Sequence, residues 1–409
     1  MRCSDMSSAP LITVIIPVYN AASHLIRTLA SVFSQSIPLN VICINDGSTD
    51  SSAAVLAELS ERYLNLTVID KDNEGPAAAR NLGLTMVSTP FLIFMDADDY
   101  ISDGAYATLL DVIVSEKADV VFHGYQNVLP NGEVISQVSL PRQIFDNGVD
   151  CFTSMQRQNY LASACFSIYR TAHILDNNIK FPLNSNFEDA HFYRDVVVSA
   201  KCVVVIPDIF YSYVQYEKSR SRQWNVQVLF DYADMFCKNI DAMNSVYDEK
   251  MKCRASAFVV ATIAAGTCDF CKSIFIDYLK KMLSEVHTLV IYGTGTGGRR
   301  LNKIVSEIDG INTFFSDSSE EKVGTYVDGI PVRSPHSLIE LNDIDTGIII
   351  GSSYVSEIYD LLNGVVIEQS IFLPDIRIIR DIAKERLLSA DLRHFSDRSF
   401  EAAKVSERI

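Results

Sequence analysis

Acidic residues follow apolar runs in the first hundred residues, and an acidic pair lies farther on. Asp46 comes just after Val41 to Ile44, and Asp96 and Asp98 come just after Phe91 to Met95. An Asp-x-Asp at a strand end puts two carboxylates one residue apart, and hard oxygen ligands of this kind suit Mg2+ or Mn2+. Glu188-Asp189 opens a helical pattern, where a carboxyl can take a proton. Each feature also has a structural reading. Asp46-Gly47 suits a turn in which the aspartate bonds its own backbone, Asp-x-Asp can be a solvated acidic turn, and Ser185-x-x-Glu188 fits a helix capping box.

The elements that would position these acids alternate. Leu11 to Val18, Val41 to Ile44, Leu66 to Ile69 and Phe91 to Met95 read as buried strands. Helical spacing follows the first in Ala21 to Phe33, continues after the second as far as Leu59, and follows the third in Pro76 to Val87. This rhythm predicts a parallel sheet covered by helices on both faces, with a ligand crevice at the carboxyl ends of the strands. Farther on, Phe187 to Val198 reads as a helix and Val203 to Ile206 as a strand.

Four segments then carry a resemblance. Val14-Ile15-Ile16-Pro17-Val18-Tyr19-Asn20, Asn45-Asp46-Gly47-Ser48-Thr49-Asp50, Asn73-Glu74-Gly75-Pro76 through Ala79-Arg80-Asn81, and Asp96-Ala97-Asp98-Asp99 resemble, in order and spacing, the family 2 glycosyltransferases with the GT-A fold. The likeness implies an α/β, nucleotide-diphospho-sugar transferase fold and an inverting transfer assisted by Mg2+ or Mn2+. The sugar would pass from a nucleoside-diphosphate sugar, a UDP-sugar above all, to a hydroxyl of a glycan or lipid-linked acceptor. It further implies that Pro17, Tyr19, Asn20 and Asp46 line the nucleotide pocket, that Asp96 meets the nucleotide and that Asp98 meets the metal. Arg80 either approaches the nucleotide or pairs with an acid. Phe187-Glu188-Asp189-Ala190-His191-Phe192 resembles the family's acceptor-side segment, which makes Asp189 the base and Glu188 its neighbour. Lys218, Arg220 and Arg222 form a basic loop; Arg220 and Arg222 are candidate diphosphate ligands, and a solvated charged loop is the plain alternative.

The alternating pattern restarts near His287. Gly293-Thr294-Gly295-Thr296-Gly297-Gly298 fits G-x-G-x-x-G between a strand and a helix, and Asp317 lies near the next strand end. With Val327-Asp328-Gly329-Ile330-Pro331-Val332, this segment resembles the Rossmann-like domains of sugar acyltransferases. Gly293, Gly295, Gly298 and Asp317 then form a second nucleotide site, or the glycines serve close packing alone. The expected organisation is a GT-A domain over 10–224, a helical linker over 225–285, a Rossmann-like domain over 286–375 and a helical tail over 376–409.

Composition narrows the function classes. A formal net charge of -16 in 409 residues disfavours nucleic acid and general polyanions as partners. Nine scattered cysteines fit reduced thiols in a cytoplasmic setting, and Cys268 and Cys271, a lone C-x-x-C, read as core packing. The longest apolar stretch, Ala255 to Ala265, is too short to span a bilayer, so membrane contact would be peripheral, at the inner face. Surface polysaccharide synthesis, of the lipopolysaccharide or capsule kind, is the expected setting. A non-catalytic nucleotide-sugar-binding assembly subunit is the alternative. Nothing in the sequence specifies the oligomeric state.

Overall fold

Runs of β-branched and aliphatic residues without polar alternation call for strands covered on both faces, and the first such runs form the middle of a sheet. A computed structural model describes residues 9–157, 163–183, 185–216, 226–242, 269–284, 286–341, 346–350 and 380–385. The chain divides into two compact units, Met1–Ser219 and Arg220–Ile409.

In the first unit, β1 (Ile12–Val18), β2 (Leu39–Asp46), β3 (Leu66–Lys71) and β4 (Phe91–Phe94) lie parallel in the order β3-β2-β1-β4. The crossovers run through α1 (Leu25–Phe33), α2 (Ser52–Arg62) and α3 (Pro76–Leu84). Every residue of β4 is buried, as are Ile12 to Ile16 of β1 and Val41 to Asp46 of β2, which explains why these segments carry no polar alternation. Gly83 lets α3 lie close on β1: a Cβ there would meet a methyl of Ile15 at 2.5 Å.

Beyond β4 the sheet departs from the parallel plan expected from sequence. It continues through β5 (Tyr100–Ile101), β6 (Val120–Val128), β7 (Val134–Val138), β8 (Gln143–Phe145), β9 (Ser167–Arg170) and β10 (Val203–Val214), giving ten strands among the described residues. β9 sits between β4 and β6 and runs antiparallel to both. The sheet is therefore mixed, and the start of β9 lies beside the carboxyl end of β4. Against this half pack α4 (Ala105–Ser115), α5 (Gly148–Arg157), α6 (Thr171–Asp176) and α7 (Glu188–Ser199). An aromatic cluster joins sheet to helix. Phe94 meets Phe181 and Phe192 edge-on with centroids 5.1 and 5.3 Å away, and those two rings stack at 4.0 Å.

In the second unit, β11 (Thr288–Tyr292), β12 (Asn312–Ser316), β14 (Ile330–Arg333) and β15 (Thr346–Ile350) are parallel, and β13 (Tyr326–Val327) pairs antiparallel with β14. The glycine turn after β11 folds tightly onto the helix Thr296–Val305. A Cβ on Gly298 would lie 1.9 Å from the Gly293 carbonyl oxygen, and Gly293 has φ of 102°, open to glycine. Gly298→Ala is accordingly expected to destabilise this unit by about 1 to 3 kcal/mol. A thermal melt indistinguishable from that of the parent would contradict so close an approach.

Candidate active site

The parallel register brings the four polar clusters to one rim: Val18 pairs with Asn45, Asp46 with Lys71, and Phe94 with Ile15. At the first strand end the chain must turn sharply, and Asn20 takes φ of 51°, a left-handed value that asparagine tolerates. Its side-chain oxygen accepts the Thr49 amide at 2.7 Å and the Asp50 amide at 3.3 Å, while its own amide donates to Ser48 Oγ at 3.1 Å. Asn20 thus ties the loop after β1 to the loop after β2. Tyr19 beside it is 52% exposed, and Pro17 is half-buried.

Asp46 is buried and held. Oδ1 accepts from Lys71 Nζ at 2.7 Å and from the Glu74 amide at 3.0 Å, and Oδ2 accepts the Gly75 amide at 2.7 Å. These bonds fix the turn that starts α3, in which Gly75 has φ of 91°. Lone-pair capacity remains on Oδ2, since a carboxylate accepts about four bonds.

At the end of β4 the acids divide into different environments. Asp99 is fully buried: Oδ2 accepts the Tyr211 hydroxyl at 2.7 Å and Oδ1 the Val214 amide at 2.8 Å. The same hydroxyl accepts the Asp96 amide at 3.2 Å, so one tyrosine braces the turn from within. From outside, the turn is held by α1, where Arg27 Nη2 donates to the Asp98 carbonyl at 2.6 Å and the Thr28 hydroxyl to the carbonyls of Ala97 and Asp99. Asp96 and Asp98 are left half-buried. Burial, reinforced by the Asp96 charge, pushes the Asp98 carboxyl up to about 6. A cation beside Asp98 would relieve this penalty, and the oxygen donors suit Mg2+ or Mn2+. Among the described residues no set of three or more His, Cys, Asp or Glu side chains gathers to hold a metal.

Arg80, on α3, lies between this turn and the start of α7. Nη2 meets Asp96 Oδ1 at 2.8 Å, and Nη1 reaches Glu188 Oε1 at 3.2 Å and Asp189 Oδ1 at 3.1 Å. The Asp189 contact is an ion pair without hydrogen-bond geometry. Asp189 Oδ2 accepts the Ser163 hydroxyl at 3.4 Å, from the segment that leads into β9. Burial raises the Asp189 carboxyl to about 7; Arg80 opposes this, while the charges of Glu188 and Asp96 add to it. The capping box expected at Ser185 does not form. α7 begins at Glu188 with Phe187 at the cap, Ser185 Oγ accepts the Phe187 amide, and Glu188 turns to Arg80.

Residues 13–175 match the model of Glycosyl transferase family 2. This segment is a family 2 glycosyltransferase domain. Glycosyltransferase GlyA of Streptococcus pneumoniae is 29% identical over 239 residues, 56% of this chain and 34% of that protein. The poly(ribitol-phosphate) beta-glucosyltransferase of Bacillus spizizenii is 25% identical over 209 residues, 50% of this chain and 32% of that protein. The chain thus spans about a third of the length of either relative. The crystal structure of residues 1-349 of Staphylococcus aureus TarS in complex with UDP aligns at a TM-score of 0.51 and 22% identity, covering 66% of this chain and 79% of that one. The shared architecture is the GT-A fold.

The first unit brings Pro17, Tyr19, Asn20, Asp46, Arg80, Asp96, Asp98, Glu188 and Asp189 to one rim. Arg220 and Arg222 lie outside the described residues, as do Lys218 and Cys268. Asp317, in the second unit, is occupied by its own turn: Oδ2 accepts from Thr294 Oγ1 at 2.6 Å and its amide at 3.2 Å, and from Lys322 Nζ at 3.2 Å. Sequence reasoning missed one group at the rim. Tyr216 at the end of β10 places its hydroxyl 3.1 Å from His24 Nδ1 and 3.3 Å from Arg27 Nη2. His24 and Arg27, three apart at the start of α1, share a helix face, and that spacing was the available signal.

The raised carboxyls of the first unit make stability depend on pH. A carboxyl higher in the fold than in the unfolded chain stabilises fully below its unfolded value of about 4, and this contribution is lost as pH rises through the folded value. With Asp98 near 6 and Asp189 near 7, the ligand-free protein is expected to melt at lower temperature at pH 8 than at pH 5.5. Asp189→Asn should flatten the upper part of that slope. Melting temperatures of both proteins across this range decide it, and parallel slopes would count against a raised Asp189.

Proposed function

We propose that the chain is an inverting glycosyltransferase that moves a sugar from a nucleoside-diphosphate sugar to a hydroxyl of a surface-glycan or lipid-linked acceptor. The observation that carries this reading is the placement of two kinds of acid on one rim: the half-buried Asp96 and Asp98 at the end of β4, and Asp189 on α7, joined to Asp96 through one guanidinium. The nucleotide lies over Pro17 and Tyr19, with Asp46 and Asn20 shaping the loops around it. Asp96 meets the nucleotide, and Asp98 would hold Mg2+ or Mn2+. The metal, when bound, supplies positive charge to the leaving diphosphate. Arg220 and Arg222 are proposed to add to that charge.

The chain's own residues do the rest. Asp189 accepts the proton of the acceptor hydroxyl as that oxygen attacks the anomeric carbon, and the bond to the diphosphate oxygen breaks on the opposite face. Ser163 orients the carboxyl, and Glu188 lies beside it to receive the acceptor. UDP-sugars are the proposed donors, in keeping with the UDP bound by the TarS structure of the same fold. Surface polymers are the proposed acceptors to try first, in keeping with the poly(ribitol-phosphate) in the name of the Bacillus spizizenii relative. No helix among the described residues is long and apolar enough to cross a membrane, and action at the cytoplasmic face is proposed. A non-catalytic nucleotide-sugar-binding subunit would have no use for a buried base tied to the donor-side acids.

Calorimetric titration with UDP tests the binding half of this reading. Binding that strengthens at least tenfold with MnCl2 is expected, from the ion pairing of diphosphate, metal and Asp98. Absence of UDP binding with and without manganese would remove the donor site.

A further inference from the structure

Arg80 is almost wholly enclosed, its side chain only 5% exposed. Its terminal nitrogens point to three acids from two separate segments, Asp96 on one side and Glu188 with Asp189 on the other. Its Nε is buried as well, without a hydrogen-bond partner. One guanidinium face lies over the Phe181 ring, 5.3 Å from the centroid. That ring is itself fixed. Asn81, the next residue on α3, exchanges two hydrogen bonds with the Phe181 backbone at 2.8 and 2.9 Å, and Phe181 stacks on Phe192, one turn along α7 from Glu188. Two consecutive residues of α3 thus grip the Asp96 turn, the Phe181 segment and the start of α7 together.

We infer that Arg80 is a positioning residue, which holds the base Asp189 in register with the Asp96-Ala97-Asp98 turn and is not itself a ligand of the donor. The inference rests on the proposed transfer reaction and assigns Arg80 a place in it. A planar fork can span acids on two sides at once, whereas a lysine ammonium is a single point of charge. Displacing a reacting group by about 1 Å can cost on the order of 10² in rate. Loss of the fork should therefore fall on turnover and spare donor affinity.

The test uses the full chain. In Arg80→Lys, the Kd for UDP with MnCl2 should stay within about threefold of the parent, while UDP release from UDP-glucose or UDP-N-acetylglucosamine falls by about 10² or more. A tenfold or greater rise in that Kd with unchanged turnover would overturn the inference and make Arg80 a donor ligand. A second measurement needs no activity. Arg80→Met should melt well below the parent, and adding Asp189→Asn and Glu188→Gln should restore part of the loss, because the acids are then no longer left buried without their cation. Strictly additive losses would overturn the inference. A parent chain that neither binds UDP nor releases it from either sugar nucleotide would sink the glycosyltransfer reading, and the melting series would still decide whether Arg80 couples the acids.

Discussion

Asp189→Asn should lower turnover by about 10² to 10⁴, equivalent to about 3 to 5 kcal/mol of transition-state stabilisation. Donor binding should survive, because the residue sits on α7, on the far side of Arg80 from Asp96. Asparagine keeps the size of the side chain but cannot take a proton from the acceptor. A distinctive pH signature accompanies the loss. Burial lifts Asp189 to about 7 against the pull of Arg80, and only its ionised form is a base. The parent's turnover should rise with pH through about 7 and level off above it, falling tenfold per unit on the acid side. Initial rates of nucleotide release from pH 5.5 to 8.5 would show this limb in the parent and its loss in the variant. Near-normal turnover of the variant would remove Asp189 from the mechanism.

Asp98→Asn should abolish the response of nucleotide binding to manganese and lower turnover by on the order of 10³, given several kcal/mol for a metal at a leaving phosphate. The neighbouring acids cannot take over. Asp99 is committed to Tyr211 and Val214 inside the fold, and Asp96 to Arg80. The same contrast predicts opposite effects on stability. Asp98→Asn relieves a carboxyl raised by burial and by Asp96 and should not lower the melting temperature. Asp99→Ala strands a buried hydroxyl and a backbone amide and should lower it, by about 1 to 3 kcal/mol in stability. Calorimetric manganese titrations at fixed UDP, paired with melts of each variant, separate the two. Parent-like manganese dependence in Asp98→Asn would take the metal away from that residue.

Much of this was legible in the sequence wherever the signal is local. β1, β2 and β4 are short apolar runs buried on both faces, whereas β3, at the edge of the sheet, buries only Leu66 fully; each is followed at once by a polar turn, so pattern located all four and the rim. The antiparallel β9 was not legible, since Ser167–Arg170 is four residues with no sustained period. β10 runs to Val214, well past Ile206, where the apolar run seen in sequence ends at Pro207-Asp208. The strand passes this point with a register shift between Val205 and Ile209 against β6, and such irregularities accommodate a proline within a strand. The site divides in the same way. The Asp-x-Asp and the Glu188-Asp189 pair could be picked out from neighbours in sequence. The role of Arg80 could not, because Glu188 is 108 residues away, and the contact of Tyr216 with His24 spans 192. For Asp46, sequence left binding and turn-holding open, and the bonds from the Glu74 and Gly75 amides supply the second role; the bonds of Asn20 to the Thr49 loop were not foreseen.

The central claim is transfer from a nucleotide sugar, and the most direct measurement is nucleoside diphosphate released from a panel of nucleotide sugars. The assay contains MnCl2 and is run with and without surface-polymer acceptors. Release is expected from at least one UDP-sugar, increased by an acceptor, dependent on the metal and lost in Asp189→Asn. No binding and no release from any donor in the panel would contradict it.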